Sequence, residues 1–113
     1  MFLLVVVLNH EEKLNEVLNK FLEIGIKGAT VVESTGMGQS ILDCEVPLIG
    51  GLRRAISKQC RPNNVTIFSV VKDRGKIEEA VNLVEGSTGQ LDNPGVGIAF
   101  ALPLEYAKGI VTE

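Results

Sequence analysis

Hydrophobic residues in this chain alternate between short β-branched runs and longer stretches with helical spacing. Met1 to Leu8 is Val-rich, short, and stops at Asn9, which predicts a strand buried on both faces rather than a helix. Asn9 is placed to cap a following helix, Glu12 is placed to return the bond, and Leu14, Val17, Leu18, Phe21 and Leu22 then recur on one helical face. This helix should end near Ile24, because Gly25 suits the left-handed position that terminates helices. Ala29 to Glu33 supplies a second β-branched run. Val65 to Val71 repeats the strand pattern, and Ile77, Ala80, Val81 and Val84 repeat the helical one, with Gly86 expected to stop it. Gly97 to Leu102 is a last apolar strand, closed by Pro103, which cannot donate to a ladder.

Strand, helix, strand thus occurs twice. Two such units with short connections predict a four-stranded antiparallel sheet of spatial order 4-1-3-2 with both helices on one face, the ferredoxin-like βαββαβ arrangement of the α+β class. Two helices cover only one face, so the strands of a monomer should alternate apolar with polar residues. The first and last strands do not alternate. Phe2 to Val7 carry large side chains on both faces, and leaving three of them in water would forgo about 1.5–3 kcal/mol each. The second face is therefore expected to be covered, most simply by a symmetric homo-oligomer, with the segment between strands two and three folding over the sheet as the alternative.

Composition narrows the function classes. A chain of 113 residues fits one domain, and 45% hydrophobic content excludes disorder. Phe2 to Leu8 is far shorter than the ~20 apolar residues of a membrane-spanning helix. It lacks the basic start and small-residue cleavage site of a signal peptide, so a cytoplasmic protein is expected. Fourteen acidic against 11 basic residues, with 4% aromatics, argue against a nucleic-acid partner. Cys44 and Cys60 lack the spacing of a zinc or redox pair and read as ordinary thiols. His10 is the sole histidine, beside the first helix cap, and no G-x-S-x-G elbow accompanies it, so no enzyme chemistry is expected.

Two glycine-rich stretches remain: Thr35-Gly36-Met37-Gly38-Gln39 after strand two, and the run from Ser87 to Gly97 before strand four. Glycine lets backbone N–H groups approach an anion closely and form a concave nest for it. In the 4-1-3-2 order both stretches fall at the same end of the sheet and could line one cleft. Neither is a P-loop or a dinucleotide fingerprint.

The residues from Gly25 through Gln39, Thr88-Gly89 ahead of the last strand, and Phe100-Ala101-Leu102-Pro103-Leu104-Glu105-Tyr106-Ala107 together resemble PII-type nitrogen regulatory proteins. The likeness covers residues 1–39 and 64–107. It implies a homotrimeric signal protein without catalysis of its own, which binds a small effector, an adenine nucleotide in the family, in clefts between subunits. It also implies a flexible loop that docks on a target enzyme, regulator or transporter. By correspondence Gly36, Met37, Gly38 and Gln39 form the base of that loop, and Thr88, Gly89, Gln90, Gly95 and Gly97 belong to the nucleotide loop. Several family cations are absent. Gln39 follows Gly38 directly where the family has an intervening arginine, Asp92 to Gly97 replaces a Gly-Asp-Gly-Lys stretch, and the C-terminal arginines fall at about Gly109 and Val111. Charge-assisted bonds are among the stronger holds on phosphate, so a smaller or less charged ligand than ATP enters the expectation.

The insert at 40–63 shows helical apolar spacing at Leu48, Ile49, Leu52, Ala55 and Ile56 and is expected to be partly helical. Arg53, Arg54, Lys58 and Arg61 make it the most basic part of an acidic chain, a docking face for a partner or a solvated helix surface. The alternative function is that of a trimeric metal-handling protein similar to the divalent-cation tolerance proteins, relying on His10 or the cysteines.

Overall fold

The computed structural model describes residues 1–36, 63–93 and 95–110. Strand β1 (Phe2–Leu8) leads through a 3₁₀ turn at Glu11–Lys13 into helix α1 (Leu14–Glu23) and strand β2 (Thr30–Thr35). Strand β3 (Asn63–Val71), helix α2 (Arg74–Thr88) and strand β4 (Gly97–Pro103) complete the second unit. The sheet order is β2-β3-β1-β4, with every neighbouring pair antiparallel. This is the expected ferredoxin-like α+β arrangement, in the expected strand order. Among the described residues no helix is long and apolar enough to cross a membrane.

One core lies between the helices and the sheet. Val17 and Phe21 of α1 and Ala80 and Val84 of α2 pack with Leu4, Val6, Leu8, Val65, Ile67 and Val71. Leu14, Leu18, Ile77 and Val81 add partial cover at helical spacing, whereas Leu22 turns outward. The end of α1 follows from its sequence. Gly25 adopts φ +93°, its N–H reaches the Leu22 carbonyl at 3.1 Å, and the N–H of Ile26 reaches that of Phe21 at 2.9 Å, the paired bonds of a Schellman cap.

Two expected boundaries are corrected. Asn9 does not cap α1: His10 holds the cap position of the 3₁₀ turn without a side-chain bond, while the Asn9 amide donates to the Gly95 carbonyl at 3.0 Å. The side chain is engaged across the sheet end, so it has no part in starting the helix. Gly86 does not stop α2, which runs on to Thr88 and ends where Gly89 takes φ +105°. The Thr88 hydroxyl donates to the Val84 carbonyl and the Gly89 N–H to that of Glu85, both at 2.9 Å, so the bonds continue past Gly86.

Register assigns the two faces of the sheet. Leu4, Val6 and Leu8 face the helices, while Leu3, Val5 and Val7 occupy the helix-free face beside Leu102, Phe100 and Ile98 on one flank and Val70, Phe68 and Thr66 on the other. Val5, flanked by two phenylalanines, is only 5% exposed. The wet apolar side chains of this face belong to the two edge strands: Ile98, Phe100 and Leu102 of β4 are 54%, 45% and 50% exposed, and Val32 of β2 is 46% exposed. On its helix side β4 carries only Gly97, Ala99, Ala101 and Pro103. The last strand thus points its bulk away from its own core.

Candidate functional site

Strands β1 and β2 run one way and β3 and β4 the other, so Gly36 after β2 and Gly97 at the start of β4 lie at the sheet end where Leu8 pairs with both Gly97 and Val65. Sequence reasoning anticipated that convergence of the glycine stretches. It missed the side chains that join them. Asn9 holds the Gly95 carbonyl at 3.0 Å, and the Asn64 amide lies 3.3 Å from Asn9 Oδ1 and bonds the Ser34 hydroxyl. Turned over, with its nitrogen toward the Ser34 carbonyl at 2.9 Å, the Asn64 side chain would accept from the Gly36 N–H at 3.2 Å in place of its bond to Asn9. The Ser34 hydroxyl also meets that of Thr66 at 2.9 Å.

A continuous polar row therefore crosses the sheet end from β4 to β2 at Gly95, Asn9, Asn64, Ser34 and Gly36. Its chemistry is neutral: amides, hydroxyls and backbone groups that suit an uncharged polar moiety or a lightly charged anion better than a triphosphate. Asn64 is 6% exposed, so its bonds fix the row rather than adapt to solvent. The one available sequence signal was the position of Asn9 and Asn64 next to strand ends, and short polar residues there read first as caps and turns.

The remaining anticipated residues are less concentrated. Thr88 is the last residue of α2 and spends its hydroxyl on Val84, and Gly89 is the helix terminator. Gln90 is exposed, and its carbonyl accepts from the Asn93 N–H at 3.0 Å. Gly95 has φ +82° and Gly97 φ +152°, backbone settings that favour glycine. Met37, Gly38, Gln39, Arg53, Arg54, Lys58 and Arg61 lie outside the described residues, as do Cys44 and Cys60 and the expected helix of the insert. Among the described residues no group of three His, Cys, Asp or Glu could hold a metal ion.

A second concave feature, a groove of about 740 Å³, lies at the opposite end of the sheet. It wraps the place where β2 leaves β3. The β2–β3 ladder ends at Thr30 opposite Phe68, and Ser69 to Val71 extend beyond it. The α1–β2 connection is tied back there by the Ser69 hydroxyl, which donates to the Gly28 carbonyl at 2.6 Å. Lys27, Lys72, Lys76 and Lys108 line the groove. No family model matches the chain, and no curated protein matches it.

Proposed function

We propose that the chain is a cytoplasmic signalling protein of the PII type, a homotrimer that senses a small metabolite in clefts between subunits and acts on a target protein through its 40–63 insert. In this reading it carries out no catalysis. The observation that carries it is the coincidence of two features at one place. The two glycine stretches meet in the Asn9–Asn64–Ser34 row, and Asn64 and Ser34 of that row, with Thr66 beside them, stand on the helix-free face whose β4 side chains are apolar and exposed. A second subunit packed on that face would cover the side chains of β4 and turn an open polar row into one wall of a cleft. The neutral lining favours an effector bound through its polar groups and backbone N–H contacts, with an adenine nucleotide of few phosphates as the leading candidate.

Two measurements test the reading. Light scattering should return three subunits, and a monodisperse monomer would remove the interface on which the cleft depends. Calorimetric titration with ATP, ADP, AMP and cyclic nucleotides should show binding of at least one, weakened by Asn64→Ala. Absence of binding by all of them would leave an oligomeric scaffold without its sensing role.

A further inference from the structure

The strand order β2-β3-β1-β4 leaves β2 and β4 with a neighbour on one side only, and among the described residues no further strand joins either. An open edge is a row of backbone N–H and C=O groups able to pair with another chain, and folded proteins blunt it with lysine, an internal proline or a bulge. Such guards are sparse here. From Ile98 to Leu102, β4 has neither charge nor proline, and Pro103 stands only at its end. In β2, Glu33 is the one charged residue. Both strands pair with their inner neighbours one residue for one, without a bulge.

Side-chain exposure separates an edge contact from a contact on the helix-free face alone. Val31 pairs with Ile67, which faces the helices, and Val32 pairs with Thr66, which faces away from them. The two valines thus lie on opposite sides of the sheet, yet they are 37% and 46% exposed. A subunit packed on the helix-free face covers Val32 and leaves Val31 in water, whereas a strand laid along the edge shields both. The shapes agree as well. On the helix side β4 carries only the small Ala99 and Ala101 between its ends, which leaves room for Val31, and on the other side Thr30 and Ser34 leave room for Phe100 and its neighbours.

Strand direction decides which edges meet. Strands β1 and β2 run one way and β3 and β4 the other, so β2 of a second copy, set beside β4 with the same face and the same end up, continues the antiparallel alternation across the junction. Pairing of β4 with β4, or of β2 with β2, occupies one edge and leaves the other open in every copy. Pairing of β2 with β4 uses both, head to tail, and a contact of that kind can close into a ring.

We propose that the outer edge of β2 pairs antiparallel with the outer edge of β4 in a second copy of this chain. The inference rests on the reading of the chain as an oligomer and names the strands that join its subunits. It sets Ser34 of one chain near Gly97 of the next, because both stand at the same end of the sheet.

The test is disulfide trapping in the full chain carrying Cys44→Ser/Cys60→Ser, with Val32→Cys combined in turn with Ile98→Cys, Phe100→Cys or Leu102→Cys. Three positions are used because each register of the pair sets a different one opposite Val32. Within one chain the two cysteines stand three strand spacings apart, about 14 Å, too far to bridge. At least one double variant should run as covalent oligomers on a non-reducing gel, while each single cysteine, and Val32→Cys with Glu78→Cys on the exposed side of α2, should run as monomer. Val31→Lys, which guards the edge from the side away from the helix-free face, should raise the subunit dissociation constant by about tenfold or more with the circular dichroism spectrum unchanged. A single cysteine on β2 or β4 that cross-links by itself would replace this pairing with self-pairing. No cross-link in any double variant, or an unchanged dissociation constant in Val31→Lys, would overturn the edge contact while an oligomer seen by light scattering left the wider reading standing. A monodisperse monomer would remove both.

Discussion

Gly97 opens β4 with its backbone so close to the carbonyl of Val7 that a Cβ at this position would overlap it. Its φ of +152° adds a conformation that other residues rarely adopt. Gly97→Ala should therefore cost at least about 2 kcal/mol by urea unfolding, combining backbone strain with a steric shift of the β1–β4 ladder. Gly86 is the contrast: it lies inside α2 with nothing within 4 Å of where a Cβ would stand, so Gly86→Ala should stabilise by about 0.5–1 kcal/mol. Equal effects of the two substitutions would contradict this placement.

The polar row predicts a coupling. Asn64→Ala removes a buried amide from Ser34 and Asn9 and should cost about 1–3 kcal/mol, while Asn9→Ala should cost about 1 kcal/mol through the lost bond to Gly95. The double variant should lose less than the sum, because the two amides share a contact. Strict additivity in a double-mutant cycle would show that the 3.3 Å approach contributes nothing.

On the helix-free face, Phe100→Glu places a charge where β4 presents its largest side chain. If that face is the subunit contact, light scattering should show dissociation to monomers with the circular dichroism spectrum intact, since Phe100 lies outside the helix–sheet core. An unchanged subunit number would move the interface elsewhere.

Between the helices, the Lys20 ammonium donates to both Glu16 at 3.2 Å and Ser87 at 2.8 Å. The Ser87 hydroxyl first, and the Lys20 ammonium second, hold the Glu16 carboxyl below its usual value. A carboxylate with a lowered folded-state pKa contributes stability above its unfolded pKa and loses it as pH falls through the folded value. Ser87→Ala should therefore raise the Glu16 pKa, read by carboxyl NMR titration. The stability difference from wild type should be seen near neutral pH and should fade on acidification. An unmoved titration would remove Ser87 as a cause.

The strands were legible because their β-branched runs are dense, and the Schellman turn because Gly25 stands at the right distance from Phe21 and Leu22. Helix ends were less so. Gly86 is an ordinary breaker in sequence, yet bonds made by Thr88 and Gly89 carry α2 past it. Asn9 has the chemistry of a cap, but a carbonyl brought near by folding, that of Gly95, competes for its amide. The lysine groove left no sequence signal, since its cations are scattered over four elements and meet only through topology. Apolar content raised the expectation of a covered second face; register shows where the apolar bulk of that face lies, at Ile98, Phe100 and Leu102 of β4 and Val32 of β2, while Val5 of β1 is only 5% exposed.

The central position of β1 bears on how the chain acquires its structure. Both partners of this strand arrive late, β3 beginning at Asn63 and β4 at Gly97, and the bond from Asn9 to Gly95 spans 86 residues. During synthesis this strongly hydrophobic segment therefore emerges well before either of the strands it pairs with. Efficient production of this protein should depend on chaperone capacity, and conditions that slow elongation before β4 is made should favour aggregation through β1.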